Sequence, residues 1–304
     1  MQLIKILRVY AVYLFILFLL CGCSKNTIPY LPINGFSDLA NRQLNEFLLN
    51  TLAEPGRKIA VFDGDGTVLG QTPHYLADEC MYLYAKTHPE QKPEIIQKMI
   101  KQSNVSIPYV QNRVLYMSGM PLQFYRELGH TCFKKYYSDK IFEPMRDLIN
   151  VLKENNFEIW IVTASPEGMY QQFLSEEFSI PITHIIGVKA IIRNGIITDE
   201  IVRPIPQNHG KKESIETFIQ DIPLLVAGNS RGDKEMIEFS RGLRMIVNPD
   251  EHIAVDQEES IAEYAEKNDW LIVYVDDVPE SGFPAVSSKE FNIRINKTRR
   301  RPSH

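Results

Sequence analysis

Predominantly apolar runs alternate with helical patterns over most of the chain. Strands buried on both faces of a parallel sheet have this composition, because neither face meets water. The runs cover residues 58–63, 158–163, 182–188, 223–228 and 244–248, and a sixth at 270–275 would add an edge strand. Since helical stretches separate the runs, the pattern predicts an α/β fold built on a parallel sheet.

Two segments depart from this alternation. Residues 72–140, between the first two runs, have a helical pattern that prolines break, and four short helices fit it. Asn194-Gly195 lies between two short apolar stretches and predicts a hairpin turn. Residues 23–58 are predicted to form a tether followed by one amphipathic helix.

The first residues have the pattern of an export signal. Lys5 and Arg8 precede an apolar run at 9–20, which is shorter than the roughly 20 residues that a membrane-spanning helix needs. The run ends in Leu20-Cys21-Gly22-Cys23, which resembles the lipobox of bacterial lipoproteins. The resemblance implies cleavage after residue 22 and lipidation of Cys23. An uncleaved N-terminal anchor helix is the alternative.

Either arrangement places the remaining chain outside the cytoplasm. We therefore expect a protein of the bacterial cell envelope, anchored to a membrane on the periplasmic face or at the cell surface. An exported setting permits a disulfide between Cys80 and Cys132, although two separate buried thiols are equally compatible with the sequence.

Composition and charge narrow the possible partners. The chain has 304 residues, is 44% apolar and carries a net charge of −5, so no basic field indicates nucleic-acid binding. Positive charge is concentrated in the tail at residues 286–304, in the run from Arg294 to Arg301. Such a run is usually a solvated, frayed end, and contact with an anionic partner or lipid headgroup is the alternative.

The candidate chemistry begins at the end of the first apolar run, where Asp63 and Asp65 flank a glycine. Two carboxylates this close repel each other unless a cation or proton lies between them, and a hard divalent cation meets that need. One carboxylate can attack phosphorus while the other transfers a proton. Thr163 and Asn229 follow two other runs, and the carboxyl ends of parallel strands share one edge of a sheet.

Four motifs in order over residues 59–250 resemble the haloacid dehalogenase superfamily, in the branch of phosphoserine phosphatases. They are Asp63-Gly64-Asp65-Gly66-Thr67, Thr163 at the end of the second run, Lys211 at a predicted helix start, and Gly228-Asn229-Ser230-Arg231-Gly232-Asp233. Lys212 is the alternative for the third motif. The resemblance implies a Rossmann-like, three-layer core from residues 59–71 and 141–285, with residues 72–140 as an inserted helical cap of type 1.

The resemblance also implies roles for these residues. Asp63 would be the nucleophile and Asp65 the general acid and base. Thr163 and Lys211 would hold phosphate. The Mg²⁺ ligands would be Asp63, the Asp65 carbonyl, Asn229 and Asp233. The family usually has an acid where this chain has Asn229, and because an amide brings no charge, we expect weaker metal binding.

Features of the cap suggest possible substrates. Arg113 matches the family position that contacts the carboxylate of phosphoserine, although an exposed helix arginine is the alternative. Thr72 stands where those enzymes have a glutamate for the substrate amine. The cap is rich in tyrosine, and tyrosine faces bind quaternary ammonium groups, so phosphocholine or phosphoethanolamine is a second possibility. Packing between helices is the simpler explanation of those tyrosines.

The sequence thus predicts a Mg²⁺-dependent phosphomonoesterase that acts on a small phosphorylated metabolite. A phosphotransferase of the same fold is the nearest alternative, and a binding lipoprotein with weak turnover or a structural envelope protein are others. A calcium loop of the EF-hand type is excluded, because Val68 and His74 occupy the positions of its glycine and glutamate. Dehalogenase chemistry is disfavoured, since those relatives lack the carboxylate that Asp65 supplies.

Overall fold

The computed structural model describes residues 30, 32–253, 257–279 and 282–301. The predicted signal peptide and Cys23 lie outside these ranges. No helix in the described part of the chain is both long enough and apolar enough to cross a membrane.

A six-stranded, entirely parallel sheet forms the centre of the fold, as the apolar runs predict. Its strand order is β3-β2-β1-β6-β7-β8, and β4 and β5 form a separate antiparallel hairpin. The strands are β1 (Lys58–Phe62), β2 (Phe157–Pro166), β3 (Ile185–Val188), β4 (Ala190–Arg193), β5 (Ile196–Ile201), β6 (Leu225–Gly228), β7 (Leu243–Val247) and β8 (Leu271–Val273).

Helices cover both faces of this sheet and form the insert after β1. They are α1 (Asp38–Asn50), α2 (Leu76–Thr87), α3 (Pro93–Met99), α4 (Ile107–Tyr116), α5 (Leu122–Tyr136), α6 (Glu143–Glu154), α7 (Glu167–Phe178), α8 (His209–Ser214), α9 (Lys234–Glu238), α10 (Ile261–Lys267) and α11 (Val286–Phe291). The central strands are buried on both faces, with Ile59, Val61 and Val226 fully inaccessible. This burial explains why their sequences show no alternation of polar residues.

The order of the strands positions the candidate site. β1 lies between β2 and β6, with Phe62 opposite Ile161 on one side and Ala227 on the other. Because all three strands run in the same direction, the residues that follow them emerge at one edge of the sheet. Asp63 and Asn229 directly follow β1 and β6, and Thr163 lies in the last four residues of β2, beyond its pairing with β1.

The insert contains four helices, α2 to α5, and it is docked firmly on the core. Helix α5 packs so closely on α7 that a Cβ at Gly129 would lie 1.9 Å from the Met169 carbonyl oxygen, so only glycine fits there. The predicted hairpin turns at Asn194-Gly195, both with positive φ. It also pairs with the insert, because the Gly119 N–H donates to the Ile197 carbonyl at 2.8 Å.

A disulfide joins Cys80 on α2 to Cys132 on α5. The two Cα atoms are 5.9 Å apart, which is an ordinary separation for this bond. The alternative of two separate buried thiols therefore does not hold. The bond ties the first helix of the insert to the last.

The interpretation of the C-terminal residues as a frayed tail is wrong for the described residues 286–301. Glu79 on α2 accepts hydrogen bonds from the backbone of Val286 and Ser287 at 2.7 and 3.1 Å, so a buried cap carboxylate satisfies the start of α11. Further along, the Asn296 N–H donates to the Pro73 carbonyl at 2.9 Å. The tail thus packs against the cap because its backbone finds partners there.

Asp277, after β8, holds together the two connections between core and cap. Its carboxylate accepts the Gln71 N–H at 2.9 Å and the Thr72 hydroxyl at 3.0 Å on the outgoing connection. It also pairs with the Lys140 ammonium at 2.7 Å on the returning connection. Asp277 and Lys140 are almost inaccessible, so each neutralises a charge that would be costly to bury alone.

Candidate active site

A cavity of about 110 Å³, here named the inner cavity, opens at the carboxyl ends of β1, β2 and β6. Its lining includes residues from all four sequence motifs, namely Asp63, Asp65, Thr163, Lys211 and Asn229. The structure therefore brings these residues together, as the sheet topology predicts. Asp233 is fully buried beside the inner cavity and meets it through Lys211.

The ammonium group of Lys211 lies between two carboxylates. Its Nζ is 2.5 Å from Asp63 Oδ1 and 2.5 Å from Asp233 Oδ1. Lys212 instead faces away and forms a partly exposed pair with Glu216 at 3.6 Å. Lys211 is thus the lysine of this motif that reaches the candidate nucleophile.

One lysine cannot fully compensate two buried carboxylates. Burial and the neighbouring Asp233 raise the pKa of Asp63 to about 7, although Lys211 acts in the opposite direction. Burial likewise acts to raise the pKa of Asp233. The Lys211 ammonium and the hydrogen-bond donors of the loop have the larger effect, so the pKa of Asp233 is lowered. The two carboxylates around Lys211 therefore exceed its single charge, and a further cation would relieve this excess.

The second oxygen of Asp233 is occupied by the loop after β6. Asp233 Oδ2 accepts the N–H groups of Asn229 and Ser230 at 3.1 and 3.0 Å and the Ser230 hydroxyl at 2.8 Å. Gly228 makes this possible, because a Cβ there would lie 2.4 Å from the Cβ of Asp233. Asp233 thus shapes the loop that carries Asn229, and both of its oxygens already have partners.

Asp65 is held by two residues that the sequence analysis missed. The Ser165 hydroxyl donates to Asp65 Oδ2 at 2.7 Å, and the Tyr170 hydroxyl lies 2.8 Å from Oδ1 and 2.9 Å from Oδ2. Burial raises the pKa of Asp65 and these hydrogen bonds oppose the rise. Strand β2 continues to Pro166 and α7 begins at Glu167, and this extension of the strand aims Ser165 at Asp65.

Thr163 is buried beside the first motif. A Cβ added at Gly64 would lie 3.2 Å from Thr163 Oγ1, so the glycine between the two aspartates leaves room for this hydroxyl. The same oxygen accepts the Ser165 N–H at 3.1 Å. Its own proton is then available to a phosphate oxygen in the inner cavity.

Arg113 lines the inner cavity from the cap and is only 3% exposed, so the alternative of an exposed helix arginine is wrong. Its Nε is 3.1 Å from Asp78 Oδ1, and its Nη2 donates to the Asn104 carbonyl at 2.9 Å. Its Nη1 contacts the Ser165 hydroxyl at 3.4 Å. The positive charge is therefore matched by a buried carboxylate before any substrate binds.

The tyrosines of the cap mostly pack between helices. Tyr82, Tyr109, Tyr116 and Tyr125 are at most 2% exposed. Tyr75 is the cap tyrosine that lines the inner cavity. Thr72 is buried as well, with its hydroxyl between Asp277 and the Lys297 carbonyl at 3.0 Å each. Neither a cage of aromatic faces nor a ligand for a substrate amine is formed by these residues.

The oxygen donors at the inner cavity suit Mg²⁺. A Cβ at Gly66 would lie 1.9 Å from Asn229 Nδ2, so the Asn229 amide packs on the backbone next to the Asp65 carbonyl. Carboxylate, carbonyl and amide oxygens are the donors that hard cations prefer. Within the described residues no group of three or more His, Cys, Asp or Glu side chains is placed to hold a metal.

Solved structures with similar folds include two proteins without a known function. One, from Anaerococcus prevotii DSM 20548, matches over 81% of this chain and 94% of its own, with TM-score 0.61 and 15% identity. Another, from Bordetella pertussis Tohama I, matches over 71% of this chain and 98% of its own, with TM-score 0.54 and 12% identity. At these identities the likeness shows the fold alone.

A phosphoserine phosphohydrolase-like protein from Francisella tularensis subsp. tularensis SCHU S4 is a more distant likeness. It is 20% identical, with 69% of this chain and 99% of that one covered and TM-score 0.43, and we draw no argument from it. No curated protein sequence matches the chain.

The family model described as haloacid dehalogenase-like hydrolase matches residues 60–238, which is more than half of the chain. The chain therefore belongs to the haloacid dehalogenase-like hydrolases.

Proposed function

We propose that the protein is a Mg²⁺-dependent phosphomonoesterase that acts on a small phosphorylated metabolite through a phosphorylated Asp63. One observation carries the proposal: three separate segments of the chain, which supply Asp63 with Asp65, Thr163, and Lys211, line one cavity of about 110 Å³. A carboxylate nucleophile, a second carboxyl group and phosphate-binding donors are what this chemistry requires.

In the first step, an oxygen of Asp63 attacks phosphorus and the bond from phosphorus to the alcohol oxygen breaks. Asp65 donates a proton to the departing oxygen. Its hydrogen bonds to Ser165 and Tyr170 fix its orientation, and burial raises its pKa, which favours the protonated form at the start. Thr163 and Lys211 donate to the phosphate oxygens.

In the second step, Asp65 takes a proton from water while the water oxygen attacks the phosphorus on Asp63. The bond from phosphorus to Asp63 breaks, so inorganic phosphate leaves and both carboxyl groups return to their starting states. Mg²⁺, when bound, offsets the negative charge of the transferring group. Asp63, the Asp65 carbonyl and Asn229 would hold the ion, and Asp233 would act by orienting Lys211 and the Asn229 loop.

The residue Asn229 favours a second candidate function, that of a binding lipoprotein with weak turnover. An amide at this position supplies a donor without a charge, so the affinity for Mg²⁺ is lower than with a carboxylate. Such a protein would retain phosphate esters without hydrolysing them at a useful rate. Phosphate release separates the two candidates.

We also propose that Cys23 carries the lipid that anchors the protein in the cell envelope. The disulfide between Cys80 and Cys132 supports an oxidising compartment outside the cytoplasm.

Replacement of the candidate nucleophile is the central test. With Mg²⁺, the full chain should release phosphate from small phosphomonoesters, and Asp63→Asn should lower kcat by at least about a thousandfold, because an amide does not attack phosphorus. Asp139→Asn, at an exposed position, is the matched control. EDTA should abolish release. Equal release by Asp63→Asn and the wild type would sink the mechanism.

Tyr170→Phe tests whether the Tyr170 hydroxyl orients Asp65. We expect kcat for alkyl phosphates to fall by about tenfold, since a hydrogen bond to a reacting carboxyl group is lost. Aryl phosphates should be affected much less, because their leaving groups need little protonation. Tyr116→Phe removes another buried hydroxyl, one that has no hydrogen-bond partner in the described structure. Equal effects of Tyr170→Phe and Tyr116→Phe, or equal losses of activity on alkyl and aryl phosphates, would contradict the proposal that Tyr170 orients Asp65.

Asn229→Asp should tighten Mg²⁺ binding by about tenfold, because a charged ligand replaces a neutral one. Calorimetric titration with Mg²⁺ measures the change without relying on activity. Asn208→Asp adds the same charge at an exposed position outside the inner cavity and should leave the affinity unchanged. An unchanged affinity in Asn229→Asp would remove Asn229 from the ligand set.

Lipidation can be followed in cells that are supplied with a labelled fatty acid. Label should enter the wild-type protein, and Cys23→Ala should carry none and should remain uncleaved. Cys80→Ala is the control, because the Cys80 sulfur lies in the folded cap, in the disulfide with Cys132. Label retained in Cys23→Ala would refute this anchor.

A further inference from the structure

A second cavity of about 480 Å³, here named the outer cavity, adjoins the inner cavity. The two share several lining residues, among them Gln71, Tyr75 and Asn229, so the outer cavity begins where the phosphate-binding residues end. A phosphoester whose phosphorus lies next to Asp63 would extend its alcohol part through this shared border. The outer cavity is therefore the place where a leaving group larger than serine would lie.

Much of the outer wall comes from residues 292–299, in the segment that follows α11. These residues lie beyond the part of the chain that matches the family model, residues 60–238. Hydrogen bonds to its backbone hold the segment in place. The Lys297 carbonyl accepts the Thr72 hydroxyl, and the N–H groups of Asp277 and Arg299 each donate to the other's carbonyl at 2.9 Å. This part of the outer wall thus lies outside the residues that the family model matches.

Positive charge exceeds negative charge in this wall. Arg294, Lys297 and Arg299 line the outer cavity together with Asp250 and Asp277. The carboxylate of Asp277 is buried and already neutralised by Lys140.

Asp250 is shared by two cations. Its Oδ1 lies 3.4 Å from Arg299 Nη2 and 3.8 Å from Lys297 Nζ. One carboxylate therefore balances one of the three cations, and the wall carries about two positive charges in a chain whose net charge is −5. A cavity walled in this way attracts a negatively charged group.

We propose that the outer cavity binds the leaving group of the substrate and that this group carries a second phosphate. The substrate would then be an organic bisphosphate, with one phosphate at Asp63 and the other near Arg294, Lys297 and Arg299. This inference rests on the proposed phosphatase function and narrows its substrate class. The paired state of Arg113 agrees with it, since the charge that would select a small carboxylate is already neutralised inside the cap.

Two substrates that differ by one phosphate test the proposal. The full chain in detergent with Mg²⁺ should show a kcat/KM for glucose 1,6-bisphosphate about tenfold above that for glucose 6-phosphate. Arg294→Gln/Lys297→Gln should reduce this preference by about fivefold, which corresponds to the effect of one or two exposed charge pairs. The loss should appear in KM, and raised salt should also shrink the preference.

Arg300→Gln is the matched control, because Arg300 is exposed in the same segment but does not line the outer cavity. It should keep the wild-type preference. If the double variant lowers kcat/KM equally for both substrates, the cations only attract anions in general and the subsite is refuted. Equal kcat/KM values for the two substrates in the wild type would also overturn it, while turnover of either one would leave the phosphatase function standing.

The second phosphate could belong to a soluble metabolite or to a lipid headgroup. Vesicles that contain a phosphatidylinositol monophosphate present a phosphomonoester beside a phosphodiester and serve as the lipid probe. Faster release from the vesicles than from the soluble bisphosphate assigns the lipid source, and the reverse assigns the soluble one. In both cases Arg294→Gln/Lys297→Gln must slow the preferred substrate, and an unaffected rate would refute the subsite.

Discussion

The buried ammonium group of Lys211 is the contact on which the arrangement of the site depends. It lies 2.5 Å from both Asp63 and Asp233, in a crevice where an unpaired carboxylate would be very unfavourable. Asp233 in turn holds the backbone of the loop after β6, so a single cation links the candidate nucleophile to the loop that carries Asn229. Because one positive charge serves two acids, this part of the inner cavity remains short of positive charge, and this shortage is the physical reason why we propose a divalent metal there.

A buried cation paired with a carboxylate also connects the cap to the core. Asp277 and Lys140 form a second buried ion pair, and Asp277 also accepts hydrogen bonds from Gln71 and Thr72, so both connections to the cap meet at one carboxylate. Glu79 adds a further link by satisfying the start of α11. A movement of the cap as a separate body would have to break these buried contacts or carry the C-terminal segment with it. The segment that lines the outer cavity is therefore bound to the cap through Pro73 and Thr72 and to the core through Asp277.

The sequence predicts the sheet, the four-helix insert and the residues that meet in the inner cavity, because each depends on a local signal: an apolar run, a helical pattern broken by prolines, or a motif next to a strand end or helix start. Ser165 and Tyr170 escape prediction since their role depends on how far β2 extends and how α7 packs. Asp277 escapes prediction for a similar reason, because the groups that its carboxylate binds, on Lys140 and Gln71, are 137 and 206 residues away in the chain. The C-terminal segment looks frayed from its charges alone, because the groups that fix it are mainly backbone atoms, which a sequence pattern does not distinguish.

Charge is distributed unevenly between the two cavities, and Asn229 is part of that distribution. Two carboxylates and two cations line the inner cavity, but each cation is also paired with a buried carboxylate behind the lining, Lys211 with Asp233 and Arg113 with Asp78. The wall of the outer cavity instead contains three cations and two carboxylates. A carboxylate at position 229 would add to the excess around Lys211 and would make the site without metal more costly to fold. The amide reduces that cost and keeps an oxygen donor in place, and the consequence that we expect is weaker metal binding. A substrate with two phosphates would bind partly through the cationic wall of the outer cavity, so that its affinity would depend less on the metal.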